Sequence, residues 1–159
     1  MTITAEIIGA QRVVSFFETL PEKTVQTVRQ EEPMIETVNN PRVVEEVRAA
    51  FTAYNAAIER GDTEALNGFF WQSPMTTRFG PSEHLFGYDQ ISTFRSGTWK
   101  PGPPRKIEHL VVTALGADVA STMAVFRAES GPMTRQSQVW GRMAEGWRIV
   151  GAHVSLYHG

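Results

Sequence analysis

Apolar residues recur at three- and four-residue spacing through Val43, Val44, Val47, Ala50, Phe51, Tyr54 and Ile58, the period of a helix with one buried face. Asn40 can cap its start, Pro41 suits the first helical position, and Gly61 offers a stop after Arg60. Glu45 and Glu46 favour the positive end of its dipole. Asp62 then caps a second short helix, "TEALNGFF", Pro74 ends an irregular piece, and "MTTRFG" reads as a strand. The segment "YDQISTFRS" predicts a third short helix, with Gly97 beyond its end. After the proline-rich linker "KPGPPR" the last third reads as strand: "KIEHLVVTALG", "ADVASTMAVFRAE", "MTRQSQVWGRM" and "GWRIVGAHVSLY", separated by the turn signals "GAD", "SGP" and "AEG". Consecutive strands with short turns form an antiparallel meander. Helices gathered ahead of it predict an α+β fold with a curved sheet wrapped around helices.

The first 38 residues follow a different pattern. "AQRVVSFFETL" carries a helix-compatible apolar face that Pro21 interrupts before a polar stretch. An N-terminal extension over 1–38, partly helical or packed on a partner, is therefore expected beside one domain over 39–159. A length of 159 residues fits that single domain.

Composition then narrows the function classes. A net charge of −2 offers no broad attraction to polyanions, which argues against nucleic acid as a partner. The absence of cysteine removes disulfides, thiolate nucleophiles and Cys-based metal sites, and fits a reducing, cytoplasmic setting. No apolar run reaches the roughly 18 residues of a membrane span, so no membrane partner is expected. His84, His109, His153 and His158 show no close ligand spacing, so no metal is expected. Phosphate-binding glycine loops and a nucleophile-elbow motif are missing, which leaves nucleotide cofactors and an α/β-hydrolase mechanism without support.

One charged residue stands out. In "FFWQSPMTTRFG", strand alternation puts Thr76, Arg78 and Gly80 on one face and Thr77 and Phe79 on the other. No acidic residue within the strand meets Arg78, and a buried arginine needs an anion or hydrogen-bond partner. Arg78 presents a rigid fork of donors suited to a carboxylate or ureido group. Tyr54, on the buried face of the long helix, would give up its proton more readily beside that cation. An arginine on a strand more often lies on a solvated face, and a helix tyrosine is more often core with its hydroxyl satisfied. Other candidates for substrate binding are Trp71 in the aromatic cluster, His84 in the loop after the Arg78 strand, and Arg95 on the third helix. Gln136, Gln138 and Trp140 share one strand face, and His153 shares a face with Trp147, Ile149, Gly151 and Ser155. A satisfied structural role for His153 competes with a ligand role.

The element order resembles the nuclear transport factor 2-like (SnoaL-like) cone fold. The stretches "NNPRVVEEVRAAFTAYNAAIERGDTEALNGFFWQSP", "TTRFGPSEHLFGYDQISTFRS" and "RQSQVWGRMAEGWRIVGAHVSL" together resemble the AtzH-like family, over roughly residues 38 to 157. That family includes the oxalurate-catabolism protein and a decarboxylating amidohydrolase acting on 1,3-dicarboxyurea. The resemblance implies a pocket between the long helix and the concave face of the sheet, with Tyr54 and Arg78 at the positions of the helix tyrosine and strand arginine of the dicarboxyurea enzyme. It also implies a homodimer and a cofactor-free decarboxylase or amidohydrolase acting on a small-molecule carboxylate. Two other readings compete: a noncatalytic small-acid-binding or amidohydrolase-accessory dimer in ureide/purine or s-triazine catabolism, and ketosteroid-isomerase-like proton transfer. The last needs a carboxylate base deep in the pocket, and the apolar stripe of the long helix supplies none.

Overall fold

In the computed structural model, residues 37–157 other than Thr98 and Ser130 are described. Apart from Thr37 and Val38, the expected N-terminal extension lies outside them, as does His158.

Helix α1 (Pro41–Arg60) starts where Asn40 accepts a hydrogen bond from the Arg42 amide at 3.0 Å. It ends at Gly61, whose φ of 66° is the left-handed conformation that favours glycine. Asp62 caps α2 (Thr63–Gly68), accepting from the Ala65 amide. Next come β1 (Thr77–Phe79), β2 (His84–Phe86) and helix α3 (Tyr88–Gly97), followed by β3 (Arg105–Leu115), β4 (Val119–Ala128), β5 (Met133–Met143) and β6 (Gly146–Tyr157).

The six strands form one sheet in the order β2-β1-β6-β5-β4-β3. The last four are the expected antiparallel meander, while β1 runs parallel to β6, so the sheet is mixed. β2 departs from expectation: "HLF", read as loop, hydrogen-bonds back on β1 across the turn at Gly80–Glu83. Three residues are too few for an alternation signal. Val47, Phe51, Leu66, Phe70, Phe126, Trp140 and Ile149 are fully buried between the helices and the inner face of the sheet.

One irregularity governs the site. Between β5 and β6 the register shifts, pairing Trp140 with Ile149 but Val139 with Gly151, so Val150 is an extra residue. Up to Ile149 the odd-numbered residues of β6 face inward, and beyond the bulge Ala152, Val154 and Leu156 do. The single face expected for Trp147, Ile149, Gly151, His153 and Ser155 is thereby broken, and His153 turns outward.

Candidate functional site

A cavity of about 650 Å³ opens between α1, α3 and the inner face of the sheet. Tyr54 and Ile58 reach it from α1, Arg78 from β1, Arg95 from α3, Arg105 from the start of β3 and Gln136 from β5, while Trp99 and the prolines of 101–104 form part of its wall. Its lining holds three arginines against one carboxylate, Glu59, so its field favours an anion.

Tyr54 is held by its ring, edge-on to Phe69 at 5.7 Å and to Trp140 at 6.5 Å. Its hydroxyl accepts from Arg95 Nη2 at 3.2 Å. Arg95 is only 3% exposed, and its guanidinium carbon lies 4.5 Å from the centre of the Phe70 ring. Its Nη1 is buried without a hydrogen-bond partner. Burial pushes the Arg95 guanidinium below its ordinary pKa; Tyr54 opposes that shift and the nearby Arg78 charge adds to it. No carboxylate forms an ion pair with Arg95 among the described residues.

Arg78 is buried on the inner face, as the alternation predicts, and Phe79 faces outward. Its environment differs from the sequence expectation in one respect. Glu83, five residues on, folds back across the β1–β2 turn and pairs with Arg78 Nη1. Gly80 permits this, because a Cβ there would fall on the Glu83 carboxylate. Burial pushes Glu83 upward, but the hydrogen bond and charge of Arg78 outweigh it and hold the carboxyl below its usual range. The cation that touches Tyr54 is therefore Arg95, while Arg78 carries its own counterion and lines the same cavity.

Two site residues were missed by sequence reasoning. Arg105, assigned to the linker, begins β3 and donates through Nη2 to Asn55 Oδ1 at 3.2 Å and to Gln136 Oε1 at 3.4 Å. Its guanidinium lies over Phe126, 3.9 Å from the ring centre. Burial pushes its pKa down, opposed by Tyr54 and Glu59. Asn55, buried beside Tyr54 on α1, also donates to the Phe51 carbonyl. Neither residue has a sequence signal beyond polarity, since both depend on how the linker closes over the helix.

Several candidates fall elsewhere. Gln138 and Trp140 share the inner face with Gln136 as expected, yet both lie beneath the cavity: Trp140 Nε1 donates to the Thr122 hydroxyl at 3.1 Å, which donates to Gln138 Oε1 at 3.2 Å. Trp71 is 36% exposed on the segment before β1 and does not line the cavity. His84, on the short β2 strand instead of in a loop, is exposed with its ring toward Phe86. His153, turned out by the bulge, sits beside Phe79 on the outer face. Among the described residues, no three His, Asp or Glu side chains gather as metal ligands, and no helix is long and apolar enough to cross a membrane.

This helix-filled, half-wrapped sheet is the nuclear transport factor 2-like, or cystatin-like, fold. A Salmonella enterica protein of that superfamily superimposes with a TM-score of 0.59 at 25% identity, covering 75% of this chain and 94% of its own. The AtzH-like family model matches residues 36–159, and the chain belongs to that family. Two solved structures are nearer in sequence. A cystatin-like fold protein from Burkholderia xenovorans is 40% identical over 77% of this chain and 98% of its own, with a TM-score of 0.74. A protein of unknown function from Pectobacterium atrosepticum is 38% identical over 76% and 95%, with a TM-score of 0.72. No curated protein matches the chain.

Proposed function

We propose that this protein is a cofactor-free enzyme that removes CO2 from N-carboxylated ureas of the 1,3-dicarboxyurea type. The observation that carries the reading is the buried Arg95–Tyr54 hydrogen bond at the wall of a cavity with three arginines and a single lining carboxylate. In the reaction, the C–N bond to the leaving carboxylate breaks and its electron pair stays on nitrogen. That nitrogen takes a proton from the Tyr54 hydroxyl, CO2 departs, and water restores the proton to the phenolate. Arg95 stabilises the phenolate as it forms, and a charge that grows only in the transition state is the one worth stabilising.

The arginines have a constrained task here. CO2 is neutral, so a guanidinium gripping the leaving carboxylate would stabilise the ground state and slow the reaction. Arg78 and Arg95 therefore serve best on the ureido oxygen, away from the departing group. The leaving carboxylate belongs against the apolar wall of Ile58, Leu66 and Val154, where loss of solvation favours its conversion to CO2.

The test is incubation of the purified protein with 1,3-dicarboxyurea, allophanate and oxalurate, following each acid by mass spectrometry. Turnover of the first is expected, together with a loss of about 100-fold or more in Tyr54→Phe, the lower end of what a positioned acid contributes. Near-normal turnover in Tyr54→Phe would sink the assignment of the proton donor. Binding without turnover of any of the three would favour a small-acid-binding protein.

A further inference from the structure

We infer that Arg105, backed by Asn55 and Gln136, forms a second carboxylate subsite of the cavity, and that the protein selects acids with two anionic ends. The inference rests on the cavity being the ligand site under the reading above, and on no turnover there.

Arg105 is placed rigidly. It follows Pro103 and Pro104, pairs with Ala128 as the first residue of β3, and lies over the Phe126 ring. Its two hydrogen bonds both leave from Nη2 and both go to neutral amide oxygens. Among the described residues no carboxylate forms an ion pair with it; Glu59, the one acidic residue of the lining, acts on it only through the field.

The same hydrogen bond leaves a donor unused beside the cation. Gln136 is 2% exposed and spends its Oε1 on Arg105, while its Nε2 is buried without a partner. Buried amide donors are almost always satisfied, so an unsatisfied one at a cavity wall marks where a ligand acceptor belongs. Arg95 Nη1 is a second such donor on the same cavity, on a cation stacked over a different ring, Phe70. Arg95, buried, and Arg105, half-buried, each lie next to an unsatisfied donor with no carboxylate paired to them among the described residues, so they call for two acceptors on the ligand, a ureido oxygen at Arg95 and an acceptor-only group at Arg105. An ionised carboxylate is such a group, and about 650 Å³ has room for both acceptors.

The subsite also resolves a requirement of the chemistry. A substrate that loses one carboxylate as neutral CO2 must be anchored by its other end, and Arg105 provides that anchor without gripping the departing group.

Calorimetric titration with matched pairs, succinate against butyrate and glutarate against pentanoate, tests the inference. The wild-type protein is expected to bind each diacid at least about tenfold more tightly than its monoacid, the lower bound for a charge-assisted contact. In Arg105→Gln that ratio should fall to within about twofold of unity. If circular dichroism shows that Arg105→Gln does not fold, Arg105→Lys, which keeps the charge and loses the fork, should still cut the ratio by about threefold or more. An unchanged ratio in a folded variant, or a ratio near one in the wild type, overturns the subsite. The titration reads binding alone: a ratio that depends on Arg105 with no decarboxylation would remove the proposed reaction and keep the subsite. Decarboxylation with a ratio near one would do the reverse.

Discussion

Replacing Arg95 with methionine is expected to stabilise the ligand-free protein while removing its response to diacids. Arg95 is a nearly fully buried cation without an ion-pair partner among the described residues and with one nitrogen unsatisfied. An unsatisfied buried donor costs about 1–3 kcal/mol, and the desolvation of the charge itself several more. Against this stand one charged hydrogen bond to Tyr54 and the stacking over Phe70, each contributing about 2 kcal/mol. Methionine keeps much of the volume, can place its sulfur against Phe70 and removes the charge, leaving the Tyr54 hydroxyl short of one donor. The balance is a gain of about 1–2 kcal/mol, which for a domain of this size raises the melting temperature by roughly 3–6 °C. Wild-type protein in succinate at about 100 times its Kd should gain about 2.7 kcal/mol by linkage, and the variant little. Urea melts of both proteins with and without succinate should therefore reverse their order of stability. A variant less stable than wild type by more than about 1 kcal/mol without ligand, or stabilised equally by succinate, refutes the claim that Arg95 is a cation held for an anion.

Glu83→Gln is expected to cost about 1–3 kcal/mol at neutral pH, because it strips the counterion from a buried arginine; Gly80→Ala should act in the same direction by displacing the carboxylate. Since Arg78 holds the Glu83 carboxyl below its usual 4.5, this contribution is present above that value and disappears as the pH falls through the lowered one. Melts of wild type and Glu83→Gln should therefore converge in acid, and a difference that persists unchanged to pH ~2 would contradict the pairing. On the outer face of the sheet Val111, Met123 and Val139 are exposed on neighbouring strands, a patch that a second copy of the chain is expected to cover. Light scattering should give twice the 17.7 kDa chain mass, falling to one chain in Met123→Glu; a monomeric wild-type protein would reject the dimer.

The elements that could be read from the chain are those whose signal is local and repeated. The three-four spacing from Val43 to Ile58 gave α1 its length and its buried face, and the alternation in "MTRQSQVWGRM" put Gln136, Gln138 and Trp140 inward together. Within that face the sequence cannot say which glutamine reaches the cavity. The Thr122 hydroxyl decides it by engaging Gln138 from β4, a contact between residues 16 apart. The alternation that correctly buries Arg78 also fails partway along β6, where one extra residue, Val150, leaves no trace in composition and sends His153 to the opposite face. Glu83 shows the same limit at shorter range: it lies five residues from Arg78, yet only the pairing of β1 with a three-residue β2 turns it back onto that side chain.

Polar side chains at this site therefore took their roles from the residues they happen to meet. Arg78, conspicuous in the sequence as an unpaired charge, is the one with an internal counterion, whereas Arg95 and Arg105, each explicable as a helix-end or linker residue, have none among the described residues. Taking a cation out of water costs several kcal/mol, and neutral hydrogen bonds and ring contacts offset that less fully than a counterion does. On the proposed reading, an anion entering the cavity gains most from Arg95 and Arg105, because Arg78 already shares its charge with Glu83.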